Sequence, residues 1–260
     1  MRTSTTGLTL SAALALGIAA HADVWDLGDD TDNAFTTDNF IAPGAEQAHD
    51  MSPQLGPLPD EDWYLAPTHS FSSYQFVVDG MTGRLDFTTA SVQRLTSNGA
   101  TVQENALPLE LGGALSLNWL GPGGDSNPIP TWVRVRGAAC GTACTLNDRY
   151  RARFYDTTYT VPRFNNSGTQ STVLLVNNTI DRPCSMTVYF FDASGALRNF
   201  TTENLGAREL VVVPTANIVP SDSGSILVAH TCGYGGLSGK AVSVEPATGF
   251  TFDTALLPRP

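Results

Sequence analysis

Tyr150-Arg151-Ala152-Arg153-Phe154 alternates apolar and polar residues over its whole length. Successive side chains of a β-strand point to opposite faces, so this pattern predicts a strand with one buried face and one polar face. Leu115 to Trp119 and Val133 to Arg136 show the same alternation. These stretches indicate half-buried strands in the first half of the chain.

The second half contains strand-like stretches of similar length without repeating the sequence; they span residues 172–176, 186–191, 210–213, 225–229 and 241–244. Clusters of Gly, Pro and Asn between the stretches supply turns. Short strands at this spacing predict an all-β protein with two antiparallel β-sandwich domains, of jelly-roll or immunoglobulin-like type. The domains are expected at residues 39–160 and 161–260, because Pro162 and an Asn-Asn-Ser-Gly run interrupt the strand pattern near that border.

The N-terminus has the organisation of a secretory signal. Arg2 gives a positive start, Leu8 to Ala20 is mostly apolar, and Ala20-His21-Ala22 places small residues where a signal peptidase reads them. The apolar run is too short to span a bilayer comfortably. We expect a cleaved signal peptide at residues 1–22, an acidic linker at 23–38, and a secreted, periplasmic or cell-surface protein with no membrane span in the mature chain.

The chain is acidic, with 25 Asp and Glu against 14 Lys and Arg and a formal net charge of −11. Such a charge repels nucleic acids and anionic lipids unless a local basic patch overrides it. The sequence contains no basic cluster of that kind, so a nucleic-acid partner is not expected.

Four cysteines in an exported chain indicate two disulfides rather than reactive thiols. Three pairings are open. The most economical one joins Cys140 to Cys144 and Cys184 to Cys232. A zinc site is disfavoured because no His lies near Cys140 or Cys144.

Two stretches resemble known bacterial sequences. Leu58-Pro59-Asp60-Glu61-Asp62-Trp63-Tyr64, followed by strands, resembles the start of the bacterial pre-peptidase C-terminal (PPC) domain. The second half is similar to the C-terminal region of uncharacterised exported bacterial proteins, through Val161–Ser167, Gly239–Val242 and Glu245–Thr254. The resemblance implies β-sandwiches, one of them of a type found as a non-catalytic accessory module beside secreted peptidases.

Calcium is the one cofactor for which the sequence offers ligands. Asp30 and Asp32 are spaced as in a calcium loop, but the Gly and the closing Glu of an EF-hand are missing. Asp60 and Asp62 flank a turn, where carboxylates either accept main-chain N–H bonds or hold calcium. Trp63 and Tyr64 then point to opposite faces of a strand, one in the core and one at its rim.

No constellation in the sequence supports catalysis. A triad of Ser223, His230 and Asp222 lacks the Gly-x-Ser-x-Gly elbow. The glycine-rich run 233–240 does not satisfy the phosphate-loop pattern, because Ala241 stands where Ser or Thr belongs. Carboxylate pairs for sugar hydrolysis, Glu104 with Glu110 or Glu203 with Glu209, rest on residue type alone.

Four aromatic residues border loops and are candidate ligand-binding positions: Tyr155, Tyr159, Tyr234 and Phe250. Aromatic rings on β-sandwiches stack on sugars or contact protein partners, and core packing is the alternative role. We expect an exported, non-catalytic binding or surface-structural protein, with a glycan or an extracellular protein as partner. The alternative is a secreted hydrolase or peptidase-accessory protein with a cryptic site.

Overall fold

A computed structural model describes residues 36–51, 60–109, 113–122, 128–137 and 143–259. In this part of the chain every paired strand is antiparallel, and the strands form four sheets. The all-β prediction of two sandwiches is confirmed. The expected signal peptide at 1–22 and nearly all of the expected linker at 23–38 lie outside the described residues.

Within the described residues, the first sandwich contains nine strands. They are β1 Glu46–Asp50, β2 Glu61–Thr68, β3 Ser73–Asp79, β4 Val92–Leu95, β5 Val102–Asn105, β6 Leu107–Pro108, β7 Leu115–Leu120, β8 Ile129–Arg136 and β9 Arg149–Asp156. One sheet has the order β1-β9-β3-β7-β6 and the other the order β2-β8-β4-β5.

The second sandwich follows directly after Thr158. Its strands are β10 Tyr159–Asn165, β11 Ser171–Asn178, β12 Cys184–Asp192, β13 Leu197–Leu205, β14 Leu210–Pro214, β15 Ser223–His230, β16 Leu237–Glu245, β17 Phe250–Ala255 and β18 Leu257–Pro258. One sheet has the order β13-β12-β15-β10-β18 and the other β14-β11-β16-β17. Pro162 lies within β10, where the register with β15 shifts between Val161 and Phe164.

Side chains along β9 point alternately into the core of the first sandwich and away from it. Tyr150, Ala152 and Phe154 are buried in it, whereas Arg151 is exposed. The apolar residues of β7 and β8 behave in the same way, which confirms the period-two prediction for all three stretches. Each buried aromatic ring removes a large apolar area from water, so this face helps to drive the packing of the two sheets.

Trp63 and Tyr64 do point to opposite faces of β2. Tyr64 is fully buried in the main core, and Trp63 packs with Leu95 and Trp132 in a separate cluster on the outer face. The guanidinium of Arg134 lies 5.1 Å from the centre of the Trp63 ring, in position for a cation–π contact. The outer cluster therefore stabilises β2, β4 and β8 from the solvent side.

The second sandwich has its own core, built around Phe164 and Phe190, whose rings meet edge to face at 5.5 Å. A disulfide joins Cys184 at the start of β12 to Cys232 just after β15, which confirms that predicted pair. Cys144 is also disulfide-bonded. Its predicted partner, Cys140, lies outside the described residues.

Candidate ligand site between the two sandwiches

A row of polar side chains crosses three strands of the first sandwich. Gln75 of β3 is paired in register with Asn118 of β7 on one side and Tyr155 of β9 on the other. The flanking residues Tyr74 and Phe76 enter the core, so Gln75 points out of the first sandwich. Gln75 is nevertheless buried, because the second sandwich covers this face.

The loop after β15 is the part of the second sandwich that covers Gln75. The main-chain N–H of Tyr234 donates to Gln75 Oε1 over 2.8 Å. Gly233 has a φ of 86°, and a Cβ at this position would lie 2.9 Å from Gln75 Nε2. Glycine is therefore required here both for backbone conformation and for close approach to Gln75. The disulfide at Cys232 holds the start of the loop.

Tyr234 and Tyr155 form an aromatic pair across the seam between the sandwiches. Their rings are stacked with centroids 4.6 Å apart and planes inclined by 26°. Tyr234 is 66% exposed, and Tyr155 is half-buried. The pair thus presents a fixed aromatic surface to solvent.

Tyr159 lies behind this pair and not on its surface. Its hydroxyl donates to the main-chain oxygen of Leu237 at 3.0 Å, and its ring stacks on His230 with centroids 5.6 Å apart. Burial, and to a smaller extent Tyr234, raises the pKa of the Tyr159 hydroxyl. Tyr159 therefore supports the loop that carries Tyr234.

Further contacts fix the two sandwiches to each other. Arg259, after β18, forms an ion pair with Asp156 at the end of β9 and lies 3.4 Å from the hydroxyl of Tyr74. The Nε2 of His230 lies 2.8 Å from the main-chain oxygen of Thr157. Since these contacts involve buried or half-buried groups, the seam is a packed interface with a defined geometry.

A cleft of about 310 Å³ opens in the seam on the Asn118 side of the Tyr234 loop. From the first sandwich it is lined by Glu104, Asn105, Leu107, Ser116, Leu117 and Asn118, and from the second by Arg182, Pro183 and Thr231. This volume lies at the lower end of the roughly 300–1,000 Å³ typical of small-molecule sites. Polar and apolar groups both line it, so a ligand would be held by hydrogen bonds and charge as well as by apolar contact.

The charges at the cleft are unevenly compensated. Glu104 is paired with Arg94 at 3.1 Å, and the neighbouring Asp181 is held by Arg208 through two bonds of 2.6 and 2.9 Å. Among the residues that the structure describes, the guanidinium of Arg182 makes no hydrogen bond and no ion pair. Arg182 is therefore the one cation of the lining whose charge is available to a ligand.

The four aromatic residues singled out in the sequence do not form one site. Tyr155 and Tyr234 come together, and Tyr159 lies behind them. Phe250 instead lies on β17, an edge strand of the other sheet, where it packs against Phe252 with centroids 6.2 Å apart. Sequence reasoning missed Gln75 and Arg182, because their positions depend on how the two halves meet.

The predicted calcium ligands include two buried carboxylates. Asp62 Oδ2 accepts a hydrogen bond from the Tyr150 hydroxyl at 2.5 Å, and His49 Nδ1 lies 3.8 Å from Asp62 Oδ1. Burial, followed by the charge of Asp62, raises the pKa of Tyr150 well above its ordinary value, so this hydroxyl stays a donor. Asp60 is also buried.

No group of three His, Cys, Asp or Glu in the described ranges is arranged to hold a metal. Asp30 and Asp32 lie outside these ranges. Calcium binding by Asp60 and Asp62 together with main-chain oxygens stays a prediction.

The geometry of β15 separates His230 from Ser223 and Asp222, the other two residues of the triad. Ser223 begins this strand and His230 ends it, which places them about 23 Å apart at roughly 3.3 Å per residue. His230 is buried, its Nδ1 accepts the Cys232 N–H at 3.2 Å, and its Nε2 donates to Thr157. Burial lowers the pKa of His230 to about 4. This histidine is thus a neutral structural group and not a base for Ser223.

The carboxylate pairs have separate structural partners. Glu104 bonds Arg94, and Glu110 lies outside the described residues. Glu209 Oε2 accepts the main-chain N–H of Gly206 at 2.5 Å, and Glu203 Oε1 accepts from the Thr201 hydroxyl at 3.3 Å. Each of these contacts lies within one turn, within one strand or between two neighbouring strands.

Comparison with models of known protein families gives no match, and comparison with curated protein sequences gives none either. In the described part of the chain, no helix has the length and apolar character needed to cross a membrane.

Proposed function

We propose that this chain is an exported, non-catalytic binding protein that recognises an extracellular glycan at the seam between its two sandwiches. The observation that carries the proposal is the exposed stack of Tyr234 on Tyr155, assembled from both sandwiches. Secreted, periplasmic and cell-surface locations all agree with the signal-like N-terminus and with the disulfide pair Cys184–Cys232.

The aromatic pair suits a sugar because a pyranose ring has one apolar C–H face and a rim of hydroxyl groups. The Tyr234 ring offers a flat apolar face for the C–H face of the sugar, and its phenolic hydroxyl can bond the sugar's hydroxyl groups. The cleft on the Asn118 side of the Tyr234 loop supplies amide, carboxylate and hydroxyl partners for further hydroxyl groups. Aromatic contact and directional hydrogen bonds are both needed for saccharide specificity.

The rigidity of the loop also favours binding. Tyr234 is held by the main-chain bond to Gln75, by the stack on Tyr155 and by the nearby disulfide at Cys232. A side chain that is already ordered loses little conformational entropy when a ligand is bound, so more of the contact energy appears as affinity. The net charge of −11 also disfavours nucleic acid as the partner.

The resemblance of residues 58–64 to the PPC domain agrees with an accessory rather than a catalytic role. Under this proposal the chain attaches itself, or a protein that acts with it, to a glycan-bearing surface. Purification and glycan-array binding of the chain provide the first test, and a tightly binding oligosaccharide from the array is then titrated calorimetrically.

Tyr234→Ala removes the exposed ring and leaves the main-chain bond to Gln75 in place. We expect its affinity for the oligosaccharide to fall about tenfold or more, since loss of a stacked ring costs about 1–3 kcal/mol in comparable contacts. Phe250→Ala is the matched control, because Phe250 is 62% exposed but lies on β17. Equal affinity of the Tyr234→Ala variant and the unaltered chain contradicts the proposal.

A further inference from the structure

The cleft on the Asn118 side of the Tyr234 loop contains a cation without a hydrogen bond or ion pair among the described residues. Arg182 lies between Asp181 and Pro183, just before β12, and lines the cleft from the second sandwich. The adjacent carboxylate of Asp181 is already bound by the guanidinium of Arg208. Arg182 is therefore left without a counter-ion among the described residues.

The opposite wall of the cleft adds groups suited to hydroxyls. Asn105 Oδ1 accepts from Gln93 Nε2 at 2.9 Å, which leaves the Asn105 Nδ2 group as a donor. Glu104 accepts from Arg94 through Oε2 and keeps further acceptor capacity on its carboxylate. Because Arg94 pairs with Glu104, Arg182 carries the one charge of the lining that has no counter-ion among the described residues.

We propose that this cleft binds the carboxylate of an acidic sugar, such as a uronic acid, with Arg182 as the anion-binding residue. The inference rests on the proposed glycan-binding function and specifies the ligand class. Arg182 pairs with the carboxylate, Asn105 donates to a sugar oxygen, Glu104 accepts from a sugar hydroxyl, and Tyr234 contacts the neighbouring sugar of the chain.

The overall acidity of the protein does not oppose this assignment. At physiological ionic strength the field of an exposed charge is screened over about 8 Å. Within the cleft the nearest uncompensated charge is that of Arg182, and an Arg–carboxylate pair gains from two parallel hydrogen bonds. A neutral saccharide would leave that guanidinium without an anion.

The test compares oligosaccharides that differ only in charge. Trisaccharides of galacturonate, glucuronate and mannuronate are titrated calorimetrically with the full chain, each as the free carboxylate and as its methyl ester. We expect at least one carboxylate form to bind about 10- to 100-fold more tightly than its ester, the range expected for one charge-assisted pair.

Arg182→Gln removes the cation and leaves a shorter, uncharged polar side chain. This variant is expected to bind the carboxylate and the ester with equal affinity. The binding free energy lost on esterification and that lost on substitution of Arg182 are then not additive, because both changes remove the same ion pair. Arg163→Gln is the matched control, since Arg163 is an exposed arginine of β10 that does not line the cleft. The control variant is expected to keep the preference for the carboxylate.

The possible results separate this inference from the proposed function. Equal binding of carboxylate and ester, with Tyr234→Ala still weakening both, overturns the acidic-sugar inference and leaves glycan binding in place. An Arg182→Gln variant that keeps the full preference for the carboxylate also overturns it. Failure of all these trisaccharides to bind, or binding of acidic peptides in their place, contradicts the acidic-sugar inference; failure of every saccharide on the glycan array contradicts the proposed function as well.

Discussion

The main-chain N–H of Tyr234 donates to the side-chain Oε1 of Gln75 over 2.8 Å, although the two residues are 159 positions apart in sequence. The same loop places Gly233 against the Gln75 amide. This one contact couples the orientation of the second sandwich to a residue of the first.

Substitution of Gly233 tests that coupling. Gly233→Ala introduces a Cβ 2.9 Å from Gln75 Nε2 and strains a backbone with φ of 86°. Gly235→Ala meets the same kind of strain at φ of 70°, with nothing within 4 Å of its Cβ. We expect both variants to lose about 1 kcal/mol of unfolding free energy from strain and Gly233→Ala to lose about 1–2 kcal/mol more.

Urea unfolding of the two variants measures this difference. Adding Gln75→Ala to each variant is a further check, because removal of the Gln75 amide should relieve the clash only in the Gly233 variant. Equal unfolding free energies of Gly233→Ala and Gly235→Ala would show that the close contact between the loop and Gln75 does not affect stability.

Acid should weaken the fold through His230. Its pKa is lowered to about 4 from 6.5 by burial, so between these values the unfolded chain binds a proton that the folded chain does not. The stability that depends on neutral His230 is complete above pH 6.5 and is lost as the pH falls toward 4. The pKa difference corresponds to about 3 kcal/mol.

His230→Gln isolates this effect, because Gln keeps an N–H donor for Thr157 but does not titrate. We expect the loss of unfolding free energy between pH 7 and pH 4.5 to be smaller in the variant by about 2–3 kcal/mol. Urea titrations at the two pH values provide the measurement. An identical loss in both proteins would assign the acid sensitivity to other groups.

The disulfide between Cys184 and Cys232 should stabilise the second sandwich. It closes a loop with a sequence separation of 48, which corresponds to about 4 kcal/mol in the loop-entropy description. A Cys184→Ser, Cys232→Ser double variant is expected to unfold at lower denaturant by that amount. Unchanged unfolding free energy in the double variant would rule out this contribution.

Tyr150 should be more important to stability than its neighbour in the hydroxyl chain. Its hydroxyl donates to Asp62 at 2.5 Å and lies 2.6 Å from the hydroxyl of Tyr64. Tyr150→Phe removes a donor to a buried carboxylate and is expected to cost about 2–3 kcal/mol; Tyr64→Phe leaves that donor and is expected to cost about 1 kcal/mol. Thermal or urea unfolding that reverses this order would contradict the assigned hydrogen-bond direction.

The strands with one buried face were predictable from sequence. In such a strand apolar and polar residues alternate, so the strand's own residues indicate which side is buried. β9 is the clearest example, since each apolar residue of Tyr150 to Phe154 enters the core. β13 was not predicted, because most of Leu197–Leu205 is exposed and its sequence does not alternate apolar and polar residues. Edge strands of this kind are specified by pairing with a neighbour, here β12, and not by their own pattern.

The candidate site was predictable only in part. Tyr155 and Tyr234 were recognised because exposed aromatic residues near loops are informative by themselves. Gln75 lies within an apolar strand, and Arg182 lies in an ordinary polar turn, so nothing local marks either residue. Both acquire their roles from the contact between two halves that are distant in sequence.

Mapping a bound oligosaccharide by NMR shows whether the seam at Tyr234 is where a saccharide binds. We expect the largest chemical-shift changes on binding at Tyr155, Tyr234 and the cleft residue Asn105. Unchanged shifts at these residues, with changes grouped around Phe250 on β17 or elsewhere, would contradict it.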